Sequence, residues 1–275
     1  MVVFAGQGDA GRSMALLWRT TGPPQVRPGP KPALSVDLIV AAGIAVADAE
    51  GMAALSMRAV GERLGRTAMA LYTYVPSKSE LVDLMYDRAL AELPTGYDTA
   101  AGWRAAVTAW AGDVREFYLR HPWMLQVSQA RPVLGPNEYV MLETVLRALR
   151  ETGLPAGVLR RVVGALTHFV RGAAQTIAET RRAPAETGMS DDEWWYARSA
   201  LLQEVAPDFA ERFPVLTWME GEGAYRSEDE SVPYLEQEAR ETFVSGLEVF
   251  LDGVEAAVRR DDAGRAARGA SGGGS

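Results

Sequence analysis

From Ser35 onward the apolar residues of this chain recur at intervals of three and four, and no stretch alternates convincingly with a period of two. That spacing gathers apolar side chains on one face of an α-helix, whereas a half-buried strand needs period two. The expected fold is therefore all-α. After Ser35, a helix-capping residue, Leu38, Ala41, Ala42 and Ala45 form one such face, and the pattern breaks at Glu50-Gly51. Ser56 opens a second helix with Val60 and Leu64 inward, closed by Gly65. A very short third helix spans Thr67 to Leu71, and Ser77 starts a fourth, with Glu80 three residues on as the partner in a capping box. That helix carries Leu81, Leu84 and Met85 and runs to about Leu93, where Pro94 ends it.

The helical pattern persists downstream. "WRAAVTAWAGDVREFYLR" reads as one amphipathic helix, "PWMLQVSQA" as a shorter one, and "EYVMLETVLRALRETG" as a third beyond the loop "RPVLGPN". Pro155 opens a long helix, "DDEWWYARSALLQEV" gives another, and the last runs from Pro233 to about Arg260. Residues 206–232 are weakly patterned. Pro and Gly crowd "TGPPQVRPGPKPALS", so residues 1–32 are expected to be a disordered extension. The organisation is then a first helical unit over 33–80, a longer helical region over 81–260, and a flexible tail over 261–275.

The start of the chain has no basic–apolar–small signal-peptide pattern, and no apolar run reaches the 18 residues of a membrane span. Zero cysteines exclude disulfides and Cys-built metal or redox sites, which suits the cytoplasm. The formal charge is −8, but it is divided unevenly. Residues 25–78 carry +2, whereas residues 79–275 carry −11. A nucleic-acid-contacting module attached to an acidic body has this distribution.

Two short helices joined at a glycine, with a third across them, form a helix-turn-helix. At about 100° per residue, Leu64, Leu71 and Val75 fall together on the core side of the third helix. Met69 and Thr73 lie opposite, flanked by Ala70 and Tyr72. So slim a face can press into a major groove and meet thymine methyl groups. The hydroxyls of Tyr72 and Tyr74, and Lys78 beside the next helix N-terminus, suit phosphate oxygens.

The segment from "LSVDLIVAAGIAVADAEGM" through "LSMRAVGERLGRTAMALYTYVPSKSELVDLM" resembles the DNA-binding domain of the TetR (tetracycline repressor) family. "HPW", "RPVLGPN", "LRETGLP", "HFVRG" and "FVSGLEVFLDGVEA" follow in the order of that family's tetracycline-repressor-type effector domain. The resemblance implies a homodimeric repressor that leaves operator DNA when a small effector binds, with 33–80 as the helix-turn-helix DNA-binding domain and 81–260 as the effector-binding and dimerisation domain. It assigns Arg58 to a base or phosphate contact, Thr67, Ala68, Met69, Ala70 and Thr73 to the reading face, and Tyr72, Tyr74 and Lys78 to the backbone. Thr73 and Tyr74 depart from a frequent aromatic–histidine pair. Gly61 replaces a common alanine, at about 1 kcal/mol in helix propensity. The tetracycline repressor has a histidine a few residues before its Arg-Pro pair that helps hold a metal–drug chelate. "MLQVSQA" before Arg131-Pro132 has none, which argues against a magnesium–tetracycline ligand, and no cofactor or metal is expected.

Trp110, Phe117, Trp123, Tyr139, Phe169 and Trp194 read singly as core residues and as a set predict an apolar effector pocket. Arg131, His168 and Gln175 are its candidate polar anchors, although His168 in an apolar helix reads first as a core histidine. Helices near 155–182 and 233–260 are apolar on more than one side. One bundle core explains that, and the resemblance favours an intersubunit four-helix bundle. An enzyme is the rival class, but no nucleophile–base set, metal-ligand spacing or phosphate-cradling loop occurs. A helical binding protein without DNA contact is the third.

Overall fold

The computed structural model describes residues 3–20, 34–226 and 232–271, with the backbone alone at 203 and 267–271. The chain divides into two compact units, residues 1–171 with 251–275, and residues 172–250. The first opens with a strand β1 (Val3–Phe4) and helices α1 (Ala10–Leu17), α2 (Val36–Glu50), α3 (Met57–Leu64), α4 (Ala68–Tyr72) and α5 (Lys78–Leu90). It continues through α6 (Trp103–Arg120), a 3₁₀ turn (Pro122–Gln126), β2 (Val127–Ser128), α7 (Pro136–Arg150) and α8 (Ala156–Thr187). Helix α8 leaves this unit after Arg171. No helix among the described residues is long and apolar enough to cross a membrane.

Local chemistry sets the helix ends. The hydroxyls of Ser35, Ser56 and Thr67 accept the Leu38, Ala59 and Ala70 N–H groups, and Gly65 closes α3 in the left-handed region at φ 63°. Ser77 caps α5, but the expected capping box forms differently. The Glu80 carboxylate takes the Ser77 hydroxyl and the Asp9 N–H (3.3 Å).

Helix α5 is the centre of this unit and packs against α1, α2 and α7. Ten of its thirteen residues are buried, including the carboxylates Glu80, Asp83 and Asp87. At spacing i, i+3, i+7 the three share one helix face. Burying a carboxylate is costly unless donors replace its water. Backbone N–H groups supply them: Asp9 for Glu80, Gly6 for Asp83 at 2.9 Å, and Asn137 and Glu138 for Asp87 at 2.8 and 3.1 Å. The Asn137 side-chain amide adds a third donor to Asp87 at 2.8 Å, and Asp87 thus caps α7 from another helix. Gly135 permits that approach, because a Cβ there would stand 2.1 Å from Asp87 Oδ1.

Residues 3–20 are not the expected disordered extension. β1 pairs in parallel with β2, Val3 against Val127, a strand pair that no period-two pattern announced. α1 lies on α5, Trp18 donates to the Leu134 carbonyl (2.9 Å), and its ring meets Tyr139 at 6.1 Å. The segment straps α5 to the stretch after β2. The Pro-rich run with Arg27 and Lys31 falls outside the described residues. The helix expected over "PWMLQVSQA" is instead the 3₁₀ turn and β2, held by Arg171, which donates to the Met124, Leu125 and Val127 carbonyls.

The second unit holds α9 (Asp191–Val205), α10 (Phe209–Arg212) and α11 (Pro214–Gly221), and includes the start of α12 (Tyr234–Ser271). Arg181 and Arg240 both pair with Glu236. Burial pushes that carboxyl up, but the two guanidiniums outweigh it and hold it below its usual range. Helix α12 continues past the expected end near Arg260, so 261–271 are helical rather than a flexible tail. There Arg265 pairs with Asp261 and Asp262 and donates to the Gly153 carbonyl.

Gly61 is buried where α3 meets the turn into α4, and a Cβ would stand 2.7 Å from the Arg66 carbonyl oxygen. Its cost in propensity is therefore the condition for the crossing. Gly61→Ala should destabilise the protein by about 1–2 kcal/mol in urea melts, because backbone strain exceeds the ~1 kcal/mol gained in propensity. Burial raises the Asp83 pKa, the Gly6 N–H opposes this, and Glu80 adds to it. A carboxyl that binds its proton more tightly when folded lowers stability as pH rises between its ordinary and raised values. Asp83→Asn, keeping an acceptor for Gly6, should raise the melting temperature at pH 7, with the gain shrinking as pH falls through that interval.

Candidate DNA interface and effector cavity

α3, the Gly65 turn and α4 form the helix pair, with α2 and α5 packed behind. Leu71 and Val75 are fully buried and fix α4 to its domain. Leu64, placed with them by the helical wheel, instead ends α3 and is half-buried. α4 has only five residues, so Thr67 is its cap and Thr73 its last turn. Outward stand Met69, 75% exposed, and Thr73, with Ala68 and Ala70 half-buried beside them. Tyr72 is exposed, while Tyr74 and Lys78 are half-buried. The Thr67 hydroxyl is engaged by the Ala70 N–H at 3.4 Å.

Arg58 is fully accessible on α3, its Nε 2.8 Å from Glu62 one turn on. So exposed a pair is screened by solvent and contributes little, which leaves the guanidinium free to exchange partners. Arg63 and Arg66 are exposed around the turn before α4, and sequence reasoning passed over both. Their position flanking Gly65 was the available signal.

A cavity of about 550 Å³ lies within the first unit, between β2, the loop after it, α7 and α8. Its walls are mainly aliphatic: Val133, Met141, Leu142, Leu146, Leu159 and Val163. Space opens at Gly164, where a Cβ would meet nothing within 4 Å. Tyr86 of α5 reaches the same cavity, one residue before the Asp87 cap of α7. Burial pushes the Tyr86 phenol well above its ordinary pKa, so it stays protonated at neutral pH. Burial also raises the Glu138 carboxyl, against the Leu134 N–H it accepts at 2.7 Å, and Asp87 adds to the rise.

Of the nine residues proposed from sequence for the pocket, Arg131 and His168 line this cavity. His168 is exposed, not a core histidine. Trp110, Phe117 and Trp123 are instead buried core, and the Trp123 indole donates to Asp48 at 2.8 Å. His121, which ends α6, is buried between Asp48 and Glu92 (2.8 and 3.1 Å). Tyr139 faces Trp18, and Phe169 is half-buried beside His168 without lining the cavity. Gln175 donates to Glu179 and Trp194 lies under Arg198, both in the other unit. Aromatic bulk went to core filling, and aliphatic residues on α7 and α8 were left to wall the space. No group of three potential metal-ligating side chains occurs among the described residues.

A helix-turn-helix with a slim outward face, joined to helices that enclose a cavity, defines a ligand-binding transcriptional regulator. Residues 39–85 match the family described as bacterial regulatory proteins, tetR family, and residues 95–258 match the tetracyclin repressor-like C-terminal domain. The chain belongs to the TetR family. It is 40% identical over 255 residues to the HTH-type transcriptional repressor DrrR1 of Streptomyces coeruleorubidus, covering 92% of this chain and 88% of that one. Apo ActR from Streptomyces coelicolor superposes with a TM-score of 0.62 at 26% identity, over 82% of this chain and 98% of ActR. ActR in complex with (S)-DNPA gives 0.62 at 25% identity, over 82% and 100%.

Lys78→Ala should weaken binding to all DNA sequences alike and reduce the slope of log affinity against log salt by about one unit. Met69→Ala should instead change which bases are recovered when binding sites are selected from random DNA. An unaltered selection profile would remove Met69 from the reading face.

Proposed function

We propose that the protein is a repressor that two copies place on a near-palindromic operator, and that a small apolar or amphipathic effector in the 550 Å³ cavity releases it. The carrying observation is that α5 serves both halves. Its N-terminus follows α4 at the DNA face, Tyr86 lines the cavity, and Asp87 holds the start of α7. An occupant that displaces α7 or Tyr86 acts on the helix that sets the angle of α4. In a dimer with recognition helices about 34–36 Å apart, a small rotation spoils the spacing on both half-sites. Only an effector with different affinities for the two arrangements shifts them.

Dimerisation through the helices near 155–182 and 233–260 is supported by the unit over 172–250. There Val244 and Val249 on α12 are 52% and 71% exposed, and Trp195 and Trp218 are 56% and 62% exposed. Exposed apolar residues on α12, with those on α9 and α11 beside them in sequence, support a partner covering this unit. DrrR1 being a named repressor supports the direction of the output. ActR binding a small molecule in a similar fold supports the use of the cavity. The reading is a cytoplasmic protein acting by binding rather than catalysis, with no cofactor.

The test begins with an operator selected from random DNA and effector candidates from a thermal-shift screen. Wild-type protein should bind the operator as a dimer at micromolar concentration and lose it when a hit is added. Gly164→Phe, filling the cavity from a helix position with room for a side chain, should keep operator affinity within about threefold while losing the response. Release that persists in this variant would place the effector elsewhere, and a monomer without operator preference would sink the repressor reading.

A further inference from the structure

We propose that the cavity selects an anionic effector: an apolar ring system bearing one carboxylate, sulfonate or phenolate, seated with that charge at Arg131 and Arg160. The proposal rests on reading this cavity as the effector site and adds the chemical class of what enters it.

The walls are aliphatic and give only size and apolar character. Two guanidiniums supply the polarity. Arg131 in the loop after β2 and Arg160 on α8 both line the cavity and are solvent-exposed, so they stand at its opening. Among the described residues neither has an ion-pair or side-chain hydrogen-bond partner. His168, two turns after Arg160 on the same helix, adds ring nitrogens to the lining, also without a partner.

The one carboxylate in the lining does not cancel this charge. Glu138 makes no ion pair with either arginine and is occupied by the Leu134 N–H at 2.7 Å. Burial raises its pKa, which further weakens its claim on a cation. The whole chain carries −8, so the local surplus of positive charge belongs to this opening and not to the background.

The ligand class follows. A cation would enter past two like charges, and a neutral ring would leave both guanidiniums without a partner. An anion gains charge-assisted, two-point hydrogen bonds at low desolvation cost, because guanidinium is weakly hydrated. The apolar walls hold the ring body, and the arginines orient its charged end outward.

A matched pair of dyes tests the idea on the full-length protein. 1-Anilinonaphthalene-8-sulfonate and N-phenyl-1-naphthylamine share a ring system and differ by the sulfonate. The component of binding that Gly164→Phe removes belongs to the cavity. For that component the sulfonate should bind at least about tenfold tighter than the neutral amine. Combined Arg131→Gln and Arg160→Gln should cost the sulfonate about tenfold or more and leave the amine within twofold. Combined Arg131→Lys and Arg160→Lys should recover part of the preference, which separates charge from packing.

Equal or tighter binding of the amine would overturn the proposal, as would a sulfonate preference untouched by the glutamines. So would a Gly164→Phe variant that removes no binding at all. Operator release, measured alongside, separates the two readings. A sulfonate preference without DNA release would leave the anion site standing and remove its regulatory role, and release without such preference would do the reverse.

Discussion

Three buried carboxylates on one face of α5 set how the segments around that helix are arranged. A carboxylate shielded from water demands donors, and Glu80, Asp83 and Asp87 take theirs from backbone N–H groups far away in sequence. That demand fixes where the first residues of the chain lie and where α7 begins. Asp87 also places negative charge at the N-terminus of α7, where the helix dipole favours it. Gly135 is required in turn, because only a residue without a Cβ allows the carboxylate so close. One acidic stripe thus orders a terminal strap, a helix start and one edge of the cavity.

At the DNA face the governing constraint is thinness. Gly61 lets α3 approach the start of α4, and Ala68, Met69, Ala70 and Thr73 leave a low surface outward. In the proposed function such a surface would read DNA by methyl contacts and duplex shape, with the arginines on α3 and in the Gly65 turn supplying charge.

The features legible in the sequence were those decided locally. Ser35, Ser56 and Ser77 begin helices and Gly65 ends one, because capping needs only a hydroxyl or a positive φ within a few residues. The helix-turn-helix followed from these marks. Distant pairings were not legible. The Glu80 partner in an expected capping box turned to Asp9, 71 residues away, and a two-residue strand has no periodicity to read. The spacing of Glu80, Asp83 and Asp87 on an otherwise apolar helix was the missed signal that something must come to meet them. For the cavity, aromatic bulk misled. Large flat rings fill a core well, and the space left open is lined by residues too small or flexible to close it.

The strap has a temporal consequence. Val3 and its partner Val127 are separated in sequence by the whole helix-turn-helix. Closing so long a loop before its contacts exist would cost entropy with nothing in return. Early pairing of this strap is the entropically costly order, so its strand contact belongs with the late steps of folding.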